Sequence, residues 1–190
     1  MRLLVVGPQG SGKGTQAKRL AAAYGIPHVA TGDILRAAVA EGTALGRRVQ
    51  PILERGDLVP DELMIELIRE RLAGEDGFLL DGFPRTLPQA QALEAMLDEL
   101  GKPLDAVLLL DVSDEVALTR LLGRQREEGR SDDTPEAIRK RLRLYHELTE
   151  PVLERYRAAG LLVEVDGERT MDEVTAALEE ALGRIGQAAR

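Results

Sequence analysis

Gly7-Pro8-Gln9-Gly10-Ser11-Gly12-Lys13-Gly14-Thr15 is the stretch on which the reading of this chain turns. Leu3-Leu4-Val5-Val6 runs into it as a short apolar strand, and Gln16 to Tyr24 runs out of it as a helix. Strand, glycine loop, lysine and helix together form a cradle for phosphate. Without Cβ atoms in the way, loop N–H groups can converge on oxyanions; the helix adds its positive end and the lysine a full charge. The spacing from Gly7 to Gly12-Lys13 fits the general phosphate-loop pattern. The next residue departs from it, because Gly14 stands where Ser or Thr is expected and Thr15 follows. A lysine in the first turn of a helix, where acids are favoured, also asks for an anion nearby.

Outward from this loop, strands and helices alternate. Apolar runs at Leu3–Val6, Ile26–Ala30, Phe78–Leu80, Ala106–Val112 and Leu161–Val165 predict five strands. Helices are predicted over 13–24, 31–40, 44–55, 61–73, 88–100, 113–124, 134–157 and from Thr170 onward. Thr31 is the expected N-cap of the second helix. Pro51 and Pro151 are expected to bend or break theirs, and Thr170-x-x-Glu173 reads as a capping box. The alternation calls for a parallel sheet with helices on both faces, whose ligands bind beyond the carboxyl ends of the strands. That edge collects Gly7 to Lys13, Asp81 to Arg85 and the loop after Asp111. The glycine-bounded helices over 31–59 and the polar turn over 125–133 read as insertions on the same edge.

Composition narrows the function. The chain has 190 residues with 44% hydrophobic and 31% charged residues, enough for one domain with a sizeable core. It has no cysteine, which excludes disulfides and thiolate metal sites. No apolar run approaches a membrane span, and with a strand leading directly into the loop a cytoplasmic protein is expected. A net charge of −8 argues against general binding to nucleic acid or membrane surfaces. Against that acidic background the window Arg120–Arg143 holds eight Lys or Arg and five Asp or Glu. A locally positive segment of this kind suits a concentrated anion such as a nucleotide phosphate.

Arg36, Arg85, Arg120, Arg124, Arg130 and Arg141 fall in or beside the ligand-edge segments, and arginine's planar fork suits phosphate. On a helix Arg120 and Arg124 share a face. Asp81, at the end of a buried strand, is placed to hold Mg²⁺ through water. Asp132 and Asp133 would pair with arginines of a closed site or cap the next helix. No Ser-His-Asp set and no close carboxylate pair is evident. Phosphoryl transfer to an existing phosphate needs neither, since it rests on alignment and charge neutralisation with water kept out. His28 and His146 are expected to be structural.

These motifs are similar to those of adenylate kinases over essentially the full length. They are Gly7 to Thr15, Thr31-Gly32-Asp33 with Leu35-Arg36, Asp81-Gly82-Phe83-Pro84-Arg85, Gly129-Arg130-x-Asp132-Asp133, Arg139-Lys140-Arg141-Leu142 and Glu150-Pro151-Val152. Gly14-Thr15 is the norm in that family. The resemblance implies an α/β P-loop kinase fold in its short-lid form. Its core would be 1–29, 60–124 and 136–190, with an AMP-binding flap over 30–59 and a lid over 125–135. It implies the reaction of MgATP with AMP to give two ADP, with Mg²⁺ as cofactor and no structural zinc. ATP phosphates would lie on Gly10, Ser11, Gly12, Lys13, Gly14 and Thr15, with Arg120, Arg124 and Arg169 on the ATP side. AMP would be bound by Thr31, Arg36, Asp57, Leu58, Val59, Gly82, Phe83, Pro84, Arg85 and Gln89. Lys13, Arg85, Arg124, Arg130 and Arg141 would stabilise the transferring phosphoryl group, Arg130 and Arg141 also holding AMP. Asp132 and Asp133 would belong to the lid. The expected partners are ATP, AMP and ADP, with a monomer expected. Thr31 with Gln89 favours AMP over the pyrimidine acceptors of UMP/CMP kinases, the alternative on this core. The non-enzymatic alternative is an ATP-binding switch.

Overall fold

In a computed structural model, which describes residues 1–128 and 134–188, five strands form one parallel sheet in the order β2-β3-β1-β4-β5. In chain order the elements begin with β1 (Arg2–Val6), α1 (Lys13–Tyr24), β2 (His28–Ala30), α2 (Thr31–Ala40), α3 (Ala44–Glu54) and α4 (Asp61–Leu72). There follow β3 (Phe78–Asp81), α5 (Leu87–Glu99), β4 (Ala106–Asp111), α6 (Asp114–Glu128) and α7 (Pro135–Leu144). A π-helical turn (Tyr145–Thr149), α8 (Glu150–Ala158), β5 (Leu162–Asp166) and α9 (Met171–Ala188) complete them.

The apolar runs divide between the two faces of the sheet. Leu4, Val6, Phe78, Leu80, Val107 and Leu109 pack into one core cluster with α4, α5 and α8. Leu3, Val5, Leu79, Leu108 and Leu110 pack into the other, with α1 and α9. Successive strand side chains point to opposite faces, so continuous apolar runs are what a doubly covered sheet requires. Each fully buried Leu or Val contributes about 1.5–3 kcal/mol through removal from water. The sheet is thus the rigid base from which the connecting loops project.

Local chemistry sets most of the helix ends. Thr43, Thr86 and Thr134 each accept a hydrogen bond from a backbone N–H of the helix they precede. Thr170 and Glu173 form the reciprocal capping box before α9. Three expectations are corrected. Thr31 is the first residue of α2 rather than its cap, and its hydroxyl donates instead to the Asp81 carbonyl at 3.2 Å, tying α2 to the end of β3. Pro51 lies inside an unbroken α3, with its ring on the exposed side. The expected long helix after Thr134 is interrupted ahead of Pro151, not at it. Pro151 has no N–H to give the preceding turn, and the chain widens into the π-helical turn before α8 restarts with proline in its first turn. No helix among the described residues is long and apolar enough to cross a membrane.

Candidate active site

Beyond the carboxyl ends of β1, β3 and β4 lies a cleft of about 650 Å³. Its walls come from three sources. The glycine loop and α1 supply Gly10, Gly12, Lys13, Gly14 and Thr15; α2 to α4 supply Thr31, Arg36, Asp57, Leu58, Val59 and Met64. The edge after β3 and the helices α5 to α7 supply Asp81, Gly82, Arg85, Gln89, Arg120, Arg124 and Arg141. A central strand flanked by β3 and β4 is what brings these segments to one place, because all their loops then leave the same edge.

The loop is held tightly by its surroundings. Gly12 takes φ 88° just ahead of α1, so that the positive N-terminal end of the helix begins at the cleft lining. Lys13 folds back so that Nζ donates to the Pro8 carbonyl at 3.0 Å. Desolvation lowers its ammonium to about 8; Asp81 opposes this and Arg85 and Arg124 reinforce it. Ser11 Oγ is buried with no hydrogen-bond partner among the described residues. The Cβ of a residue at position 14 would lie 3.4 Å from Asp81 Oδ2, so glycine keeps the space between the helix start and that carboxylate open.

Asp81 sits at the end of β3, and His28 Nε2 lies 3.7 Å from its Oδ2. Burial works to raise the Asp81 carboxyl, but His28, Lys13 and Arg85 outweigh it and hold the group below the usual carboxylate range. It is therefore an ionised oxygen donor facing a cationic cleft. No group of three or more His, Cys, Asp or Glu close enough to hold a metal occurs among the described residues. This donor set fits Mg²⁺, a hard cation that keeps several waters and takes oxygen from one carboxylate and from phosphates.

The opposite wall is equally charged. Arg85 Nε donates to the Gly82 carbonyl at 2.8 Å, which turns the guanidinium back over the end of β3. Desolvation lowers it below its ordinary value, opposed by Asp81 and reinforced by Arg141 and Arg36. Arg36 pairs with Asp33 at 2.6 Å, and Arg141 donates to the Leu53 carbonyl at 3.2 Å. Arg120 donates to the Gly167 carbonyl at 2.9 Å, pinning α6 to the loop after β5. With Lys13, these arginines gather positive charge at one edge of a chain whose net charge is −8.

The family model described as adenylate kinase matches residues 5–161. The chain is 49% identical over 187 residues to an adenylate kinase of Xanthomonas campestris pv. campestris (strain 8004), covering 97% of this chain and 100% of that protein. It is 46% identical over 185 residues to an adenylate kinase of Stenotrophomonas maltophilia (strain R551-3), covering 96% and 99% respectively. The chain belongs to the adenylate kinase family. It is accordingly an enzyme, a phosphotransferase of the nucleoside monophosphate kinase class.

Not every residue expected of an adenylate kinase site lines the cleft. Ser11 is buried, and Phe83 and Pro84 line a smaller cavity together with Lys13, Arg85 and Arg141. Arg169 lies after β5, ion-paired with Asp166 at 3.2 Å. The Asp57 carboxylate is engaged by Lys140 of α7 and by Arg55, which together hold it below its usual range. Arg130, Asp132 and Asp133 lie outside the described residues, as does the middle of the expected lid. Lys18, Met64 and Leu121 line the cleft although nothing in their local sequence marks them, since each is an ordinary helical position. The long-range contacts of Asp61 carry no local signal either. As the first residue of α4 it reads as a first-turn acid, yet it accepts hydrogen bonds from Thr86 and Gln89 across 25 and 28 residues.

Proposed function

We propose that this cleft transfers the terminal phosphoryl group of MgATP to AMP, giving two ADP in a reversible reaction. The observation that supports it best is that two cationic sets of residues share one cleft. Gly10, Gly12, Lys13, Gly14 and Thr15 of the loop, and Arg36, Arg85 and Arg141 from distant parts of the chain, line one and the same cleft. In this reading the loop holds the donor's phosphates, with Arg120 and Arg124 on the donor side and Arg169 beside its base. Thr31, Arg36, the Asp57–Val59 segment, Gly82 to Arg85 and Gln89 hold AMP. An oxygen of the AMP phosphate attacks the terminal phosphorus while the bond to the departing ADP oxygen breaks. The attacking group is already an anion, so no general base is needed and no proton must move. Catalysis rests on in-line alignment and on Lys13, Arg85, Arg124, Arg130 and Arg141 neutralising the charge on the transferring group. Bound with ATP, Mg²⁺ would supply further neutralisation of phosphate oxygens, and Asp81 is the carboxylate that would hold its water shell. Segment 30–59 acts as the AMP-binding flap and 125–135, with Asp132 and Asp133, as the lid, closing to exclude water. The enzyme works as a cytoplasmic monomer.

A coupled assay with ATP and each of AMP, UMP, CMP and GMP tests this reading. AMP is expected to be the preferred acceptor. A pyrimidine acceptor outperforming it would favour the UMP/CMP kinase alternative, and ATP binding without turnover on any acceptor would favour a switch.

Lys13 supplies a second test. Its pKa of about 8 in the free protein means that a polyphosphate placed beside it restores the charge. Nucleotide binding at about pH 8.5 is therefore expected to take up protons, and the uptake is expected to fade toward pH 6.5, where the lysine is already charged. Titration calorimetry in buffers of different ionisation enthalpy measures this. Binding at the higher pH with no proton uptake would remove Lys13 from the phosphates.

A further inference from the structure

We propose that Asp61 sets the base selectivity of the acceptor site by holding the Gln89 amide in one orientation, the one that fits a 6-aminopurine and opposes a 6-oxopurine. This rests on the reading that Gln89 faces the acceptor's base.

Gln89 lines the cleft and is 2% exposed, and both ends of its amide are held. Nε2 donates to Asp61 Oδ1 at 2.8 Å, and Oε1 accepts from the Arg85 backbone N–H at 2.8 Å. Asp61 Oδ1 also accepts from the Thr86 hydroxyl at 3.0 Å, and that hydroxyl accepts from the Gln89 backbone N–H at 3.3 Å. The partners leave the amide no choice. A carboxylate only accepts and a backbone N–H only donates. Rotating the amide end for end would set its NH₂ against the Arg85 N–H and its oxygen against the Asp61 carboxylate. Two shielded hydrogen bonds would become two repulsive contacts.

What the held amide can still offer a ligand is one N–H and one carbonyl lone pair, side by side. A 6-aminopurine presents the complement, an amino donor at position 6 and a bare nitrogen acceptor beside it. A 6-oxopurine presents an oxygen acceptor and an N–H, which only the rotated amide could meet. Uracil carries the 6-oxo pattern and cytosine the 6-amino pattern. Asp61 touches no substrate in this scheme. It is a positioning residue acting through Gln89, and it stands where the flap segment 30–59 gives way to α4.

The test compares kcat/KM for AMP, IMP, UMP and CMP, the first two differing at position 6 and its neighbour, in the wild type, Asp61→Asn, Asp61→Ser and Gln89→Leu. The wild type is expected to favour AMP by at least about a hundredfold, the scale set by leaving site polar groups unmatched. Asn and Ser can each donate or accept, so in these variants only the Arg85 N–H still favours the original direction, and the rotated amide meets one repulsive contact instead of two. In both Asp61 variants the AMP/IMP ratio is expected to fall at least about tenfold, mainly through KM, with UMP gaining alongside IMP and CMP not gaining. Wild-type ratios in both variants, or an equal loss on all four acceptors, would overturn the proposal, as would a wild type that accepts IMP as well as AMP. Gln89→Leu separates the two levels. Collapse of the AMP/IMP ratio there, without collapse in the Asp61 variants, keeps Gln89 at the base and discards Asp61's role. An unchanged ratio in Gln89→Leu removes Gln89 from the base and the proposal with it.

Discussion

Lys13→Met is expected to lower turnover by at least about a hundredfold, the loss typical of removing one oriented donor to a charged transition state. The substitution keeps the length and apolar stem of the side chain, so packing around the loop survives. What it removes is the one full charge carried by the phosphate loop itself. The fold is not expected to suffer. The folded-state pKa of Lys13 is lowered to about 8 from 10.5, which means that its proton is held less firmly in the folded chain than in the unfolded one. Its charge therefore opposes folding in full below about pH 8, and the opposition fades as pH rises toward the unfolded value. Methionine at 13 is thus expected to leave Tm unchanged or raise it near neutral pH, with the difference vanishing above about pH 10.5. A coupled assay alongside thermal melts at several pH values checks both halves. Near wild-type turnover, or a Tm drop at pH 7, would show that the lysine is there for the loop and not for the phosphate.

The second large effect concerns Gly10. This residue takes φ +87°, and the Cβ of an alanine there would lie 2.5 Å from the Ala117 carbonyl oxygen and 3.1 Å from Ala117 Cα. Those are backbone atoms of α6, whose inner face is buried against Ile138 and Leu142 of α7, so the helix cannot simply yield. The left-handed conformation costs about 1–3 kcal/mol and the forced separation about 1–3 kcal/mol more. Against a total stability of about 5–15 kcal/mol this is a severe lesion. In the proposed mechanism it is also a functional one, because α6 carries Arg120 and Arg124. Gly10→Ala is expected to shift the urea midpoint strongly and to raise the KM for ATP at least about tenfold, since small misplacements of aligning groups are felt in the rate. Gly25→Ala is the control. Gly25 caps α1 at φ +63° with nothing within 4 Å of an added Cβ. It should cost about 1 kcal/mol and leave the kinetics alone. Equal kinetic damage from both substitutions would mean that general destabilisation, not the loop–helix contact, lowers activity.

Much of this architecture is legible in the linear chain, for reasons that are local. The phosphate loop is recognisable because glycine, lysine and a following helix occupy adjacent positions. The doubly covered sheet is legible because both faces of Leu3–Val6 and Ala106–Leu110 are apolar. Helix starts at Thr134 and Thr170 depend on atoms three residues away. Where a residue's partner is distant, the local signal misleads. Thr31 looks like a cap, yet its hydroxyl is drawn to the carbonyl of Asp81, fifty residues on. Nothing in the residues around Asp57 announces that Lys140 of α7 takes its carboxylate.

The chain's order of residues thus settles its family, its parallel sheet and the glycine-rich loop between the first strand and the first helix. Each of these follows from periodicity, steric freedom and charge within a few positions. The tertiary structure alone decides that β1 lies between β3 and β4, so that loops far apart in sequence leave one edge and Lys13, Asp81 and Arg85 face a common cleft. It alone decides that Gly10 must pass against Ala117 and that the Gln89 amide is locked between Asp61 and Arg85. The physical reason is the same in each case. Hydrogen bonds and steric contacts act over a few ångströms of space, and only folding determines which distant residues come within that range.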